Sequence, residues 1–255
     1  MTIGAVSGYS SSYSPYSTIA AGGALQSAAQ DAAGLAIEEK TKAQTGALDK
    51  GTENLRDAKS AQNISDGAME SIGDYLNSIK ELAIKSQNGT LGQDDKQSIQ
   101  NQIDQYLKGI DETAGRAQYN EKPLLSGEGK LSVAADGNGS KADVSTYDMN
   151  VKNLGLEGLD VTSDDFDMSR IDDAIEKVDS ARANTGAEAN RVDYASAYNS
   201  KASLELNGYA MDKEEDRVVS ALQEMKAKQA TDQYQVMLQK KQQEDEAQKS
   251  QLFFA

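Results

Sequence analysis

The sequence predicts a mainly α-helical protein, an elongated antiparallel helical bundle or coiled coil with one small β-hairpin. Three observations predict it. Apolar residues recur at steps of three and four over long stretches on both sides of the middle of the chain. The middle alternates apolar and polar residues around Asp-Gly and Asn-Gly pairs. Bulky residues for a wide globular core are few, with three Phe and no Trp in 255 residues. Narrow seams of Ala, Ile, Leu and Val suit this composition better.

Taken in order, residues 1–18 form a Ser/Tyr-rich segment broken by Pro15, within a stretch from Met1 to Gln30 that carries no charge. Such a composition cannot offset its own ordering cost, so the segment is expected to be flexible alone, either as a tail or as a piece that orders on assembly. Residues 19–50 read as a helix and linker, with a helical pattern beginning near Leu25 and Gly34 inside it. From Gly51 a stripe of Ile64, Ala68, Ile72, Leu76, Ile79 and Ala83 defines one helix face, and Asn88-Gly89 supplies its stop. A second stripe, Ile99, Ile103, Leu107, Ile110 and Ala114, follows after a short link, which predicts an antiparallel neighbour. The third stripe, Ile171, Ile175 and Val178, continues toward Val192 and can cover the seam that two helices leave open.

Between the second and third stripes, Leu131-Ser-Val133-Ala-Ala135 alternates up to Asp136-Gly137-Asn138-Gly139. Val144 and then Tyr147, Met149 and Val151 resume the alternation on shifted parity, so a hairpin with a bulge is expected, leaning on the helices. The expected division is thus 1–18, 19–50, a core of 51–200, and a final helix of 201–255 with a polar end.

Composition excludes most chemistry. There is no His and no Cys, so the usual neutral-pH acid/base group, the thiol nucleophile and the commonest metal ligands are missing. Asp164-Asp165-Phe166-Asp167 and Lys213-Glu214-Glu215-Asp216 lack the spacing of a calcium loop, and their default reading is solvated charge or acid at a helix start. Gly22-Gly23 follows no strand and precedes no Lys-Ser/Thr, so it is no phosphate cradle. No catalytic residue, cofactor or metal site is therefore expected. With 41 acidic against 26 basic residues and a net charge of -15, the chain does not suit nucleic acid. It also shows no apolar run able to span a membrane and no cleavable secretion signal.

The run Ile19 to Ile37 (IAAGGALQSAAQDAAGLAI) resembles the amino-terminal region of bacterial flagellins, most diagnostically at Asp31-Ala-Ala-Gly-Leu-Ala-Ile37. The likeness continues through Leu76–Thr90 and Ile110–Leu125, and Leu154–Val161 and Ile171–Arg191 look like the far side of the same core. The resemblance implies a core of two amino-terminal helices, a β-hairpin and one carboxy-terminal helix, without outer variable domains. The stripes Ile64, Ile72, Leu76, Ile79, Ile99, Ile103, Leu107, Ile110, Ile171, Ile175 and Val178 would then serve core packing and assembly. Leu25, Leu35, Ile37, Val218, Leu222, Met225 and Val236 would pair the terminal helices. It further implies self-assembly with its own or other flagellin subunits, unfolded export through the flagellar machinery with a flagellin chaperone, and an extracellular place in the flagellum.

The family's innate-immune recognition surface corresponds here to Ser78, Lys80, Glu81 and Leu82, with Ser and Lys where the family has Arg. Loss of forked guanidinium donors implies weakened receptor contact. Departures are concentrated at the ends: residues 1–18 stand where flagellins usually have a longer amphipathic helix, and Lys240 to Gln251 is strongly polar before the apolar tip Leu252–Ala255. These imply a minor or modified filament component. The alternative is a soluble, non-polymerising interaction or regulatory protein that stays in the cytoplasm, and an enzyme is the weakest reading.

Overall fold

The computed structural model describes residues 14–163 and 165–253, with side chains up to residue 247. Expectations for residues 1–13 and Asp164, and for the side chains of the apolar tip, lie outside these. The elements run α1 (Pro15–Ala20), α2 (Ala32–Ser86), α3 (Gln93–Arg116), β1 (Gln118–Tyr119), β2 (Lys122–Pro123), β3 (Ser126–Ala134), β4 (Lys141–Asp148) and α4 (Ser169–Phe253). The fold is mainly α with small antiparallel sheets. Two compact units result: Gly46–Ala202, and the described residues up to Thr45 together with those from Ser203.

In the unit Gly46–Ala202, three helical stretches enclose one core. Leu55, Met69, Ile72, Leu76 and Ile79 of α2 meet Ile99, Ile103 and Ile110 of α3 and Ile171, Ala174 and Val178 of α4, all buried, with Leu107 and Ile175 packed against them half-buried. Ion pairs Lys59–Asp193 (2.6 Å), Asp66–Arg182 (3.0 Å) and Lys80–Asp172 (2.7 Å) run in opposite residue order, so α2 and α4 are antiparallel here. One stripe residue is misplaced by the sequence reading: Ile64 is 40% exposed, and Ser65 lies inward in its place. Steps of four drift round a helix of 3.6 residues per turn, whereas the buried face alternates threes and fours through Leu55, Ala58, Gln62, Ser65, Met69, Ile72 and Leu76.

The expected hairpin is β3–β4, with Leu131 opposite Val144 and Val133 opposite Ala142. Its register slips between Ser126 and Gly129, opposite the point where inward parity changes from Val144 and Thr146 to Met149. The bulge therefore lies at the end away from the turn. In the turn itself, Asp136 accepts the amides of Asn138 (2.8 Å) and Ser140 (3.0 Å) and the Ser140 hydroxyl (2.7 Å), led by that hydroxyl in holding its carboxyl below the usual range. The hairpin leans on the helices through named bonds. Glu188 of α4 accepts the Ser145 amide (3.0 Å) and hydroxyl (2.6 Å), Asn54 donates to the Ala134 carbonyl (3.0 Å), and Asn199 donates to the Ala135 carbonyl (2.6 Å).

A second, smaller hairpin, β1–β2, precedes it and escaped the sequence reading. Its two central residues, Asn120 (φ 46°) and Glu121 (φ 63°), are both left-handed, the geometry of the tight turn that suits Asn-Gly. Glutamate carries a Cβ cost there that glycine does not. Glu121→Gly is accordingly expected to raise stability by about 0.5–1 kcal/mol in urea unfolding, net of the extra freedom glycine has when unfolded.

The irregular stretch after β4 is the other unforeseen part of the core. Leu154, Leu156, Leu159 and Val161 are all buried although no regular element holds them. Gln100 of α3 holds the segment: its amide nitrogen donates to the Leu159 carbonyl (2.8 Å) and to Asp104 (2.7 Å), and its amide oxygen accepts the Val161 amide (2.8 Å). Arg170 adds bonds to the carbonyls of Gly155 and Glu157, and Lys177 to that of Asn153.

In the other unit, α1 is a one-turn helix opened by Pro15, so part of the segment expected to be flexible is helical. Leu25 precedes α2, which begins at Ala32 and not near Leu25. Asp31 sets that start by accepting the Gly34 amide (2.9 Å).

Candidate assembly surfaces

The seam inside the terminal unit is polar where the sequence suggested an apolar one. α2 turns Glu38 and Thr41 inward, while Ile37, one residue out of phase, is exposed. Glu38 is 5% exposed and sits between Lys42 (2.9 Å) and Arg217 of α4 (3.2 Å). Burial alone would push its carboxyl up; the Lys42 hydrogen bond and charge, with Arg217, outweigh this and hold it below the usual range. A carboxyl lowered on folding adds stability that is present above its unfolded pKa and lost as pH falls through the folded one.

Opposite, on α4, Ala221 is fully buried, with Val218 and Met225 half-buried. Leu222 and Val236, expected to pair, are exposed in the single chain, whereas Leu35 is half-buried. A groove of about 490 Å³ runs along this seam, with Gly34, Ile37, Tyr209 and Ser220 among its lining.

Much of the apolar material of α4 in this unit faces solvent. Leu204, Met211, Val218 and Met225 recur at heptad spacing, and Leu204, Met211, Val219, Leu222, Val236, Met237 and Leu238 are exposed. Leu204 and Met211 went unnoticed in the sequence although the same heptad, traced back from Val218, reaches both. Every described residue from 226 to 247 is exposed.

The face carrying Ser78, Lys80, Glu81 and Leu82 lies on α2. Glu81 is exposed and Leu82 packs partly against the core, but the Lys80 ammonium is tied to Asp172 at 2.7 Å. The Ser78 hydroxyl donates to the Asp74 carbonyl of its own helix. The acidic clusters have local duties as well. Asp167 accepts the amide and hydroxyl of Ser169 where α4 begins, and Lys213 pairs with Asp216 while lying over the Tyr209 ring.

Helices with one apolar core closed inside the chain and further apolar side chains of α4 left exposed describe a structural class of protein, whose chemistry is packing. Residues 10–130 match the bacterial flagellin N-terminal helical region. The chain is similar to the bacterial flagellins, a family of structural proteins. It is 35% identical over 138 residues to a flagellin of Salmonella muenchen, covering 54% of this chain and 27% of that one. It is 31% identical over 140 residues to a flagellin of Serratia marcescens, covering 54% and 40%. The chain thus spans less than half the length of these relatives.

Among solved structures, Bacillus cereus flagellin aligns with TM-score 0.51 at 25% identity, over 58% of this chain and 88% of that one. A protein assigned as flagellar hook-associated from Vibrio parahaemolyticus shares the fold, with TM-score 0.60 at 18% identity over 69% and 95%.

Proposed function

We infer that this chain is a structural subunit of a bacterial flagellar filament, a minor or modified component that packs with other flagellin subunits through its helical termini and core. The observation that supports this most directly is the set of apolar side chains that α4 leaves exposed, Leu204, Met211, Val219 and Leu222, in a chain similar to bacterial flagellins. Apolar area of that kind gains about 25 cal/mol per Å² when a neighbouring subunit covers it. In this reading Ile37, Leu222 and Val236, exposed in the single chain, are contacts completed between subunits. Export through the flagellar machinery with a flagellin chaperone, and an extracellular place, belong to the same reading.

Seeded polymerisation tests it. Purified chain mixed with filament seeds is expected to elongate them under the electron microscope, and a variant lacking residues 240–255 to elongate them less. A chain that stays monomeric alone and with seeds overturns the filament role. One observation favours the second reading, a soluble non-polymerising regulator: the exposed, charge-balanced end of α4 beyond Met225 needs no partner to stay solvated. A cytoplasmic chain that never reaches the culture medium is the outcome that selects it.

Contact with innate immune receptors is weak in this reading, because Ser78 offers no guanidinium and Lys80 is already paired with Asp172. In a receptor reporter assay the monomer is expected to need roughly tenfold more protein than an Arg-bearing flagellin for half-maximal signal. Equal potency would refute the weakening.

A further inference from the structure

The core of the unit Gly46–Ala202 contains a layer that is not apolar. Gln62 (1% exposed) and Ser65 (0%) on α2 and Thr185 (4%) on α4 are buried, and four of their atoms have no hydrogen-bond partner: Gln62 Nε2 and Oε1, Ser65 Oγ and Thr185 Oγ1. The antiparallel register places them together. The ion pairs Lys59–Asp193 and Asp66–Arg182 bracket the layer, and all three residues fall between those pairs along their helices.

The two hydroxyls behave unlike most others on these helices. Thr41, Thr52, Ser60, Ser71 and Ser78 of α2 and Ser200 of α4 each donate to the carbonyl four residues back in their own helix. Ser65 and Thr185 have the same option at Ala61 and Ala181 and do not take it. Buried polar groups are satisfied almost without exception, and an orphaned one is costly.

We propose that Gln62, Ser65 and Thr185 form an internal hydration site that holds water between α2 and α4. The chemistry of the set fits that occupant. The amide nitrogen donates, the amide oxygen accepts, and each hydroxyl does both, which supplies the two to four polar partners an internal water needs. Near-complete burial excludes a larger ligand without opening of the core. The Asp66–Arg182 pair lies at one end of the layer, and its hydrogen bond raises the Arg182 pKa further above its ordinary value.

Water-to-protein cross-relaxation in the NMR spectrum of the full chain tests the site. The side-chain amide protons of Gln62 are expected to show cross-peaks to a water resident for longer than a nanosecond. Those peaks are expected to fall at least severalfold in the Ser65→Ala/Thr185→Val double variant. Absence of the cross-peaks in the unmodified chain, or their persistence at full strength in the double variant, overturns the proposal. Direct bonding among the three side chains would give the first of these outcomes. Should the double variant fail to fold, the Ser65→Ala chain carries the comparison, and the spectrum of the unmodified chain can refute the site unaided.

Discussion

Replacing Gln100 with leucine lowers the stability of the chain by about 2–4 kcal/mol, measured as a shift in urea midpoint at unchanged slope. Leucine keeps most of the side-chain volume, so the loss is not one of packing. It leaves the Val161 amide and the Leu159 carbonyl, both in a buried segment, without the partners that Gln100 now supplies at 2.8 Å each. An unsatisfied buried group costs about 1–3 kcal/mol, and the gain from one more apolar side chain offsets only part of two such losses. The segment has no ladder or helix to fall back on: its described residues form turns with local bonds such as Leu154 to Asn150 and Leu156 to Val151, and Gln100 supplies the partners of Leu159 and Val161. A change below about 0.5 kcal/mol would show that Leu154, Leu156, Leu159 and Val161 hold their places by burial alone.

That segment also shows where the sequence stopped being readable. Ile72, Leu76, Ile79, Ile103, Ile110, Ile171 and Val178 were legible because a helix repeats its inward face every three or four residues, and a repeat can be seen without knowing the neighbour. Leu154, Leu156 and Leu159 have no such repeat. Their burial is decided by Gln100, some sixty residues away, and by the carbonyls that Arg170 and Lys177 reach. Ile64 failed for a different reason: a step of four repeated from Ile72 walks off the face, and the core accepts a polar Ser65 where the apolar reading expected an isoleucine. The two-residue hairpin at Asn120-Glu121 carried no signal because its second central residue is not the glycine that marks such turns.

The terminal helices were half legible on the same grounds. Val218 and Met225, named from the apolar pattern of the sequence, are half-buried on α4. Ile37 could not be placed without knowing that Glu38 turns inward to Arg217, a choice an apolar count argues against and a charge pair permits.

Two glycines of α2 are expected to respond to alanine with opposite sign. In an open helical position, alanine is favoured over glycine by about 0.5–1 kcal/mol because the unfolded chain loses freedom. Gly67 is such a position, with no atom near the place a Cβ would take. Gly67→Ala should therefore raise the thermal midpoint of the chain by a few degrees. Gly51 lies against the Ala135 carbonyl where the β3–β4 hairpin meets the helices, and a Cβ there would run into that oxygen and its carbon.

Both sides of the Gly51 contact are backbone, so no side chain can swing aside. Relief requires the hairpin to move off α2, which pulls the same carbonyl from Asn199 and strains the neighbouring Asn54 bond to Ala134. Gly51→Ala is expected to cost about 2–3 kcal/mol in spite of the better helix propensity, with amide exchange rising first in β3 and β4. Equal and positive shifts for both variants would mean that the hairpin is free to move away from α2, and that close approach at Gly51 contributes nothing to holding it.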